Sequence, residues 1–295
     1  ETKSSYEIRL KTTDSGGLFY EEAFTLSVND LLDNYETSIE WTRLLGGNGS
    51  DYGRALTTGS DGSIYIAGLI RGDLDGQTNN GSSDAFISKY NPDGTKEWTR
   101  LFGTSAQDDA IALTTGSDGS IYIAGLTRGD LDGQTFNGGY TDAFISKYNP
   151  DGTKDWIRLL GSSSFDVGNA LTTGNDGSIY IAGETHGDLD GQTNNGSSDA
   201  FISKYNPDGT KEWTRLFGTS AQDDAIALTT GSDGSIYIAG KTLGDLDDQT
   251  NIGGYGDTFI SKFNPDGTKD WTRLLGSSSN ESGNALTTGS DGSIY

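Results

Sequence analysis

The chain has 295 residues, of which 32% are hydrophobic and 44 are glycine, with no cysteine and a formal net charge of −23. Such acidity disfavours nucleic acid and anionic membranes as partners, and the lack of cysteine excludes a disulfide framework and a thiolate metal site. No apolar run approaches the ~18 residues of a membrane-spanning helix, so no transmembrane segment is expected. Low hydrophobicity can signal disorder, but regular aromatic and β-branched runs point instead to a turn-rich all-β fold. Residue 1 is Glu and the last copy of the repeat stops partway, which reads as a piece of a longer protein whose targeting is unreadable.

Residues 1–37 stand apart. Tyr6-Glu-Ile8-Arg-Leu10 and Phe24-Thr-Leu26-Ser-Val28 alternate in period two, as half-buried strands do, with turn residues Asp14-Ser-Gly-Gly-Leu18 between them. A lone hairpin of this size is marginal in water. The stretch resembles the last two strands of a cadherin-like domain. That resemblance implies a partial sandwich, with Asp14, Asp30, Asp33 and Asn34 on positions that bind calcium between successive domains. Leu32 stands where the pattern has asparagine, and no second such domain follows.

Residues 38–295 are one unit copied. The 54 residues from Gly72 to Gly125 return unchanged from Gly187 to Gly240, and five tryptophans (Trp41, Trp98, Trp156, Trp213, Trp271) recur every 57 or 58 residues. Within a unit, Ala55–Gly59 and Ile64–Ala67 read as strands around the turn Ser60-Asp-Gly-Ser63. A loop with the motif GDLDGQ follows, then strands Asp84–Tyr90 and Lys96–Phe102 around Asn91-Pro-Asp-Gly94. All four prolines occupy that one turn position. Four short antiparallel strands per unit, without a helical period, predict a propeller blade. A leading fourth strand (Ile39–Leu45) and trailing first and second strands (Asn284–Tyr295) flank four complete units. If they join, they make a fifth blade that lacks its third strand.

The D-A-F, N-P-D-G, Trp, D-G-S-I-Y and A-G landmarks of every unit resemble the bacterial beta-propeller repeat family called SBBP. The resemblance implies a module of large bacterial surface or secreted proteins, hence an extracellular or cell-surface location.

Chemistry is sparse. The only histidine, His186, replaces Arg or Leu of other copies and is expected on a variable surface loop. No base stands ready to activate a serine, and the aspartate pairs Asp108-Asp109 and Asp223-Asp224 recur with the repeat, which suits folding better than a single catalytic cleft. No enzyme activity is expected. The GDLDGQ loop sets two carboxylates two residues apart before a glycine, as oxygen-donor cation loops do. It offers Asp73/Asp75, Asp130/Asp132, Asp188/Asp190 and Asp245/Asp247, with Asp248 replacing the glycine in the last copy. The alternative is an aspartate-rich turn whose side chains cap backbone amides. Asp84, Asp142, Asp199 and Asp257 are expected to bond backbone at strand starts.

The expected function is a non-catalytic adhesion or scaffold module with calcium as cofactor and other surface proteins or glycans as partners. The competing expectation is a multivalent carbohydrate-binding propeller, in which Tyr140 and Tyr255 stack on sugar rings.

Overall fold

Two turn sequences shape each repeat. In Gly59–Ser63 the Gly62 amide donates to the Gly59 carbonyl (3.0 Å) and the Gly59 amide to that of Ser63 (2.8 Å). Gly62 sits at φ +79°, open to glycine at little cost, and Asp61 Oδ1 accepts the Ser63 amide at 2.9 Å. The Ser63 amide and hydroxyl hold the Asp61 carboxyl below its usual range. Asn91-Pro-Asp-Gly94 is built alike, with Gly94 at φ +78° and Asp93 accepting the Thr95 amide at 2.9 Å.

The structure is a computed structural model that describes residues 5–13, 19–27, 40–252, 255–289 and 291–295. The chain divides into two compact units, Glu1–Thr42 and Arg43–Tyr295. In the first, β1 (Ser5–Thr13) and β2 (Phe19–Ser27) pair antiparallel with Ile8 opposite Phe24. Asp14, Asp30, Asp33 and Asn34, the expected calcium positions of this segment, lie outside the described residues.

The second unit holds four four-stranded antiparallel meanders. Blade 1 is β3 (Tyr52–Thr58), β4 (Ile64–Ile70), β5 (Asp84–Tyr90) and β6 (Lys96–Phe102). Blade 2 is β7 (Asp108–Thr115), β8 (Ile121–Thr127), β9 (Asp142–Tyr148) and β10 (Lys154–Leu160). Blade 3 is β11 (Asp166–Thr173), β12 (Ile179–Thr185), β13 (Asp199–Tyr205) and β14 (Lys211–Phe217). Blade 4 is β15 (Asp223–Thr230), β16 (Ile236–Thr242), β17 (Asp257–Phe263) and β18 (Lys269–Leu275). First strands of successive blades lie side by side, β3 by β7, β7 by β11 and β11 by β15. The first strands therefore form the inner edge and the tryptophan strands the outer one.

The core lies between sheets. Tyr65, Ile87, Trp98 and Phe102 of blade 1 pack on Ile121, Phe144, Tyr148 and Ile157 of blade 2, and the next two junctions repeat the pattern. Each such side chain buried contributes on the order of 2–3 kcal/mol. The W-x-R motif latches the junction. Trp98 Nε1 donates to the Pro150 carbonyl (3.2 Å) and Arg100 Nε to that of Gly152 (2.8 Å), both in the next blade's N-P-D-G turn. Trp156 and Arg158 repeat both bonds on Pro207 and Gly209, and Arg215 reaches Gly267.

The flanking segments dock like blades without becoming one. Arg43 Nε donates to the Gly94 carbonyl at 2.9 Å, the bond that Arg100 makes one blade later. Thr288 Oγ1 donates to Thr230 at 3.1 Å, as Thr230 does to Thr173 at 3.0 Å. Yet residues 40–45, expected as a strand, carry none, and of the expected strands in 284–295 only the bridge Thr288–Ile294 forms. A fourth strand bonds to the third strand of its blade, and among the described residues every third strand is already paired with the fourth strand of its own sheet. The outer faces remain open. Leu275 is 72% exposed whereas Phe102 and Phe217, its counterparts, are 6% exposed.

Candidate functional site

First and third strands of every blade begin at the same end of the array, and the GDLDGQ loops crown that end. In each loop the D-G pair makes a two-residue reversal. Leu74 and Gln77 exchange both backbone hydrogen bonds (3.0 and 2.9 Å) around Asp75 and Gly76, at φ +53° and +75°. Two successive positive φ values define the tight hairpin turn that favours Asp-Gly. Leu74 is buried beneath it. The Gln77 side chain accepts the Leu101 amide (3.0 Å) and donates to the Thr99 carbonyl (2.9 Å), sealing the outer edge of β6. The last copy keeps the reversal with Asp247 and Asp248 at φ +51° and +61°, so aspartate in place of glycine strains the turn without breaking it.

The expected calcium residues of these loops are engaged inside their own blades. Asp73 Oδ1 accepts the Asn79 amide (3.0 Å), and Asp130, Asp188 and Asp245 cap Phe136, Asn194 and Asn251 in the same way. Asp75 pairs with Lys96 at 2.5 Å and Asp247 with Lys269 at 2.5 Å, and Asp132 and Asp190 pair with Lys154 and Lys211. Burial raises the Asp75 carboxyl, but Lys96 and the Thr99 hydroxyl outweigh it and hold the group below its usual range. Among the described residues no three acidic or histidine side chains converge as a metal cluster.

Beneath the loops, Asp84, Asp142, Asp199 and Asp257 at the starts of third strands are wholly buried, as are Asp108, Asp166 and Asp223 at the starts of first strands. Asp84 Oδ2 accepts the Asn80 amide (3.0 Å), and Asp142, Asp199 and Asp257 take the amides of Asn137, Asn195 and Ile252. Burial raises the carboxyls of Asp84, Asp108, Asp166, Asp199 and Asp223. Asp142 is pushed up to about 6, first by burial and further by the Asp166 charge.

One position breaks the repeat. Glu184 replaces the Leu126 of the preceding copy and the Lys241 of the next, and it shares a hydrogen bond with Asp224 across the blade 3–4 junction. Burial first, and then Asp224, push the Glu184 carboxyl up to about 9. Sequence reasoning missed it, although its departure from the other copies was a readable signal. His186 lies 3.7 Å from Glu184 and edge-on to Phe165 at 5.1 Å. Tyr140 and Tyr255 are 58% and 60% exposed, and Arg128 stacks over Tyr140 at 4.1 Å.

At the opposite end, neighbouring blades leave small clefts. One of about 220 Å³ is lined by Asp118, Tyr122, Thr173 and Pro207, and another of about 290 Å³ by Asn175, Asp176, Tyr180, Asp233 and Pro265.

Comparison with known families settles the repeat. The beta-propeller described as "Domain of unknown function (DUF5122)" matches residues 59–97, 116–155, 174–212 and 231–272, more than half of the chain. The chain belongs to this propeller family. The SBBP beta-propeller repeat matches residues 40–75, a narrower span than the every-unit resemblance expected from the landmarks. The Regulatory protein FlaEY of Caulobacter vibrioides is 28% identical over 211 residues, which cover 65% of this chain and 22% of that protein. An uncharacterized WD repeat-containing protein of Acanthamoeba polyphaga mimivirus is 23% identical over 232 residues, 62% of this chain and 17% of its own. The chain thus spans about a fifth of the length of these curated relatives. Among solved structures, virginiamycin B lyase of Staphylococcus aureus is 14% identical with a TM-score of 0.39, over 85% of this chain and 79% of its own. The extracellular domain of a putative one component system of B. thetaiotaomicron is 15% identical with a TM-score of 0.42, over 98% and 30%. Likeness at this level carries no functional argument. Among the described residues no helix is long and apolar enough to cross a membrane.

Proposed function

We propose that the chain is a non-catalytic scaffold or adhesion module of an extracellular bacterial protein, associated with calcium and built on a five-bladed array. One observation supports the reading above the rest: carboxylates are placed uniformly. The same aspartates cap the same amides and meet the same lysines in blade after blade. A reaction centre needs one differentiated constellation, whereas a scaffold needs the same joint repeated. A formal net charge of −23 favours cations and keeps such an array soluble. The blade-like docking of Arg43 and Thr288 supports the fifth blade, which needs a third strand to close.

Beads coated with the protein are expected to adhere to bacterial cells or to one another in millimolar calcium, and to disperse in chelator. Adhesion no greater than that of albumin-coated beads, with or without calcium, would refute the reading. The carbohydrate-binding alternative draws on the clefts at blade junctions and on exposed Tyr140 and Tyr255. Reproducible binding on a glycan array, lost with Tyr140→Ala and Tyr255→Ala, would favour it instead.

A further inference from the structure

The buried aspartates at the strand starts meet in pairs. The third strand of each blade lies against the first strand of the next, β5 by β7, β9 by β11 and β13 by β15. Asp84 therefore approaches Asp108, Asp142 approaches Asp166, and Asp199 approaches Asp223. The point where a Gly103 side chain would begin is 2.7 Å from Asp84 Oδ1 and 2.9 Å from Asp108 Oδ2. At Gly218 the same point is 2.5 Å from Asp199 Oδ1 and 3.0 Å from Asp223 Oδ2. Gly161 and Gly276 stand equivalently, 2.3 Å from Asp142 Oδ1 and 2.2 Å from Asp257 Oδ1. None of these four glycines has a positive φ, so backbone conformation does not require them. A side chain at any of them would run into these carboxylates, so the aspartates can pack there only against glycine.

One oxygen of each third-strand aspartate has no hydrogen-bond partner. Asp84, Asp142, Asp199 and Asp257 place Oδ2 on backbone amides, but Oδ1 has no hydrogen bond in any of the four blades. All four residues are 0% exposed. Their partners are held as acceptors too: Asp108 Oδ2 takes the Thr104 amide at 2.6 Å, and Asp166 Oδ2 the Ser162 amide at 2.7 Å. No lysine or arginine forms an ion pair with any of these seven aspartates among the described residues. A buried carboxylate with one oxygen unpaired and no counter-charge is costly, and two facing each other more so. Beyond blade 4, Glu281 takes the place of the first-strand aspartate, with Oε2 accepting the Ser277 amide at 3.0 Å.

We propose that a calcium ion occupies each blade junction, bridging the unpartnered oxygen of the third-strand aspartate of one blade and the first-strand carboxylate of the next. A divalent ion cancels both charges, and carboxylate oxygens suit a hard cation. The proposal rests on the calcium-associated reading above and moves the ion from the exposed GDLDGQ loops to the joints between blades, where binding stiffens the array.

The test uses the whole chain. Calorimetric titration with calcium or magnesium, and melting curves at about 1 mM of either ion or in chelator, are run at matched ionic strength. One variant carries Asp84→Asn, Asp142→Asn, Asp199→Asn and Asp257→Asn. A second carries Asp73→Asn, Asp130→Asn, Asp188→Asn and Asp245→Asn. Wild type is expected to bind one calcium per junction and to melt several degrees higher in calcium than in magnesium. The loop variant keeps both properties. The junction variant loses them while melting in chelator at least as high as wild type, which shows that it folds. The single variant Asp142→Asn, losing one ion of the stoichiometry, serves if the fourfold variant does not fold. Calcium binding kept by the junction variant and lost by the loop variant overturns the junction site alone and leaves calcium association standing. No calcium-specific shift in wild type, with the melting temperature in chelator rising on acidification, overturns both and assigns the pairs a shared proton.

Discussion

The loop aspartates and the strand-start aspartates are chemically identical, recur equally often, and behave oppositely. Those of the loops lie at the surface, where Asp75 meets Lys96 and Asp73 caps an amide. Asp84, Asp142, Asp199, Asp223 and Asp257 of the strand starts lie between sheets with an oxygen unpartnered, and burial pushes the Asp142 carboxyl up to about 6. A carboxylate is cheap where water or lysine answers it and expensive where neither does. The motif that looks like a cation loop is a folded turn, and the residues that look like strand caps leave a carboxylate oxygen unpaired.

The largest effect should come from crowding those carboxylates. Gly161→Ala places a methyl 2.3 Å from Asp142 Oδ1 and is expected to cost roughly 3–4 kcal/mol, read from the shift of the denaturation midpoint. A cost below about 1 kcal/mol would mean that Asp142 does not pack tightly against this glycine.

The next effect is titration in chelator. With its folded pKa raised to about 6, Asp142 binds its proton more tightly in the folded chain than in the unfolded one. Its contribution is therefore present at low pH and is lost as pH rises from about 4 to 6, on the order of 2–3 kcal/mol. The turn aspartates Asp61, Asp93, Asp151 and Asp208 are lowered by their Ser or Thr partners and act the other way, losing stability as pH falls toward and below the usual carboxylate range. Metal-free protein is expected to melt highest near pH 5. Asp142→Asn should raise the melting temperature at pH 7 and leave it unchanged at pH 5; equal effects at both would break the contrast.

Glu184, raised to about 9, extends the same trend into alkali. Glu184→Gln mimics the protonated acid and should flatten the fall in melting temperature between pH 6 and 9, by a few degrees. Smaller still is Asp248→Gly, which relieves a positive φ of 61° and should stabilise by about 1 kcal/mol. Smallest is Asp75→Asn, which breaks an exposed pair with Lys96 and should cost no more than about 0.5 kcal/mol in thermal melts.

Much of this was legible in one sequence. The strands Asp84–Tyr90 and Lys96–Phe102 were readable to the residue because N-P-D-G fixes both ends of the reversal between them. The flanking strands were not, because Ile39–Leu45 has the pattern of a fourth strand but lacks the third strand that would accept its hydrogen bonds. In the GDLDGQ loops the D-x-D spacing was visible, but Lys96 lies twenty-one residues beyond Asp75 and nothing local ties the two together. Glu184 was overlooked because a substitution in one copy looks like drift until a partner is found in the next blade.

The sequence by itself determined the repeat, its four strands and their turns, since periodicity, proline and glycine act through local dihedral angles and the two-residue alternation of strands. Only the tertiary structure decided which aspartates are charged cheaply and which are not. That depends on what the adjacent blade brings within hydrogen-bond reach and on whether water can follow. Asp142 meets Asp166 and Glu184 meets Asp224 solely because one sheet lies against the next.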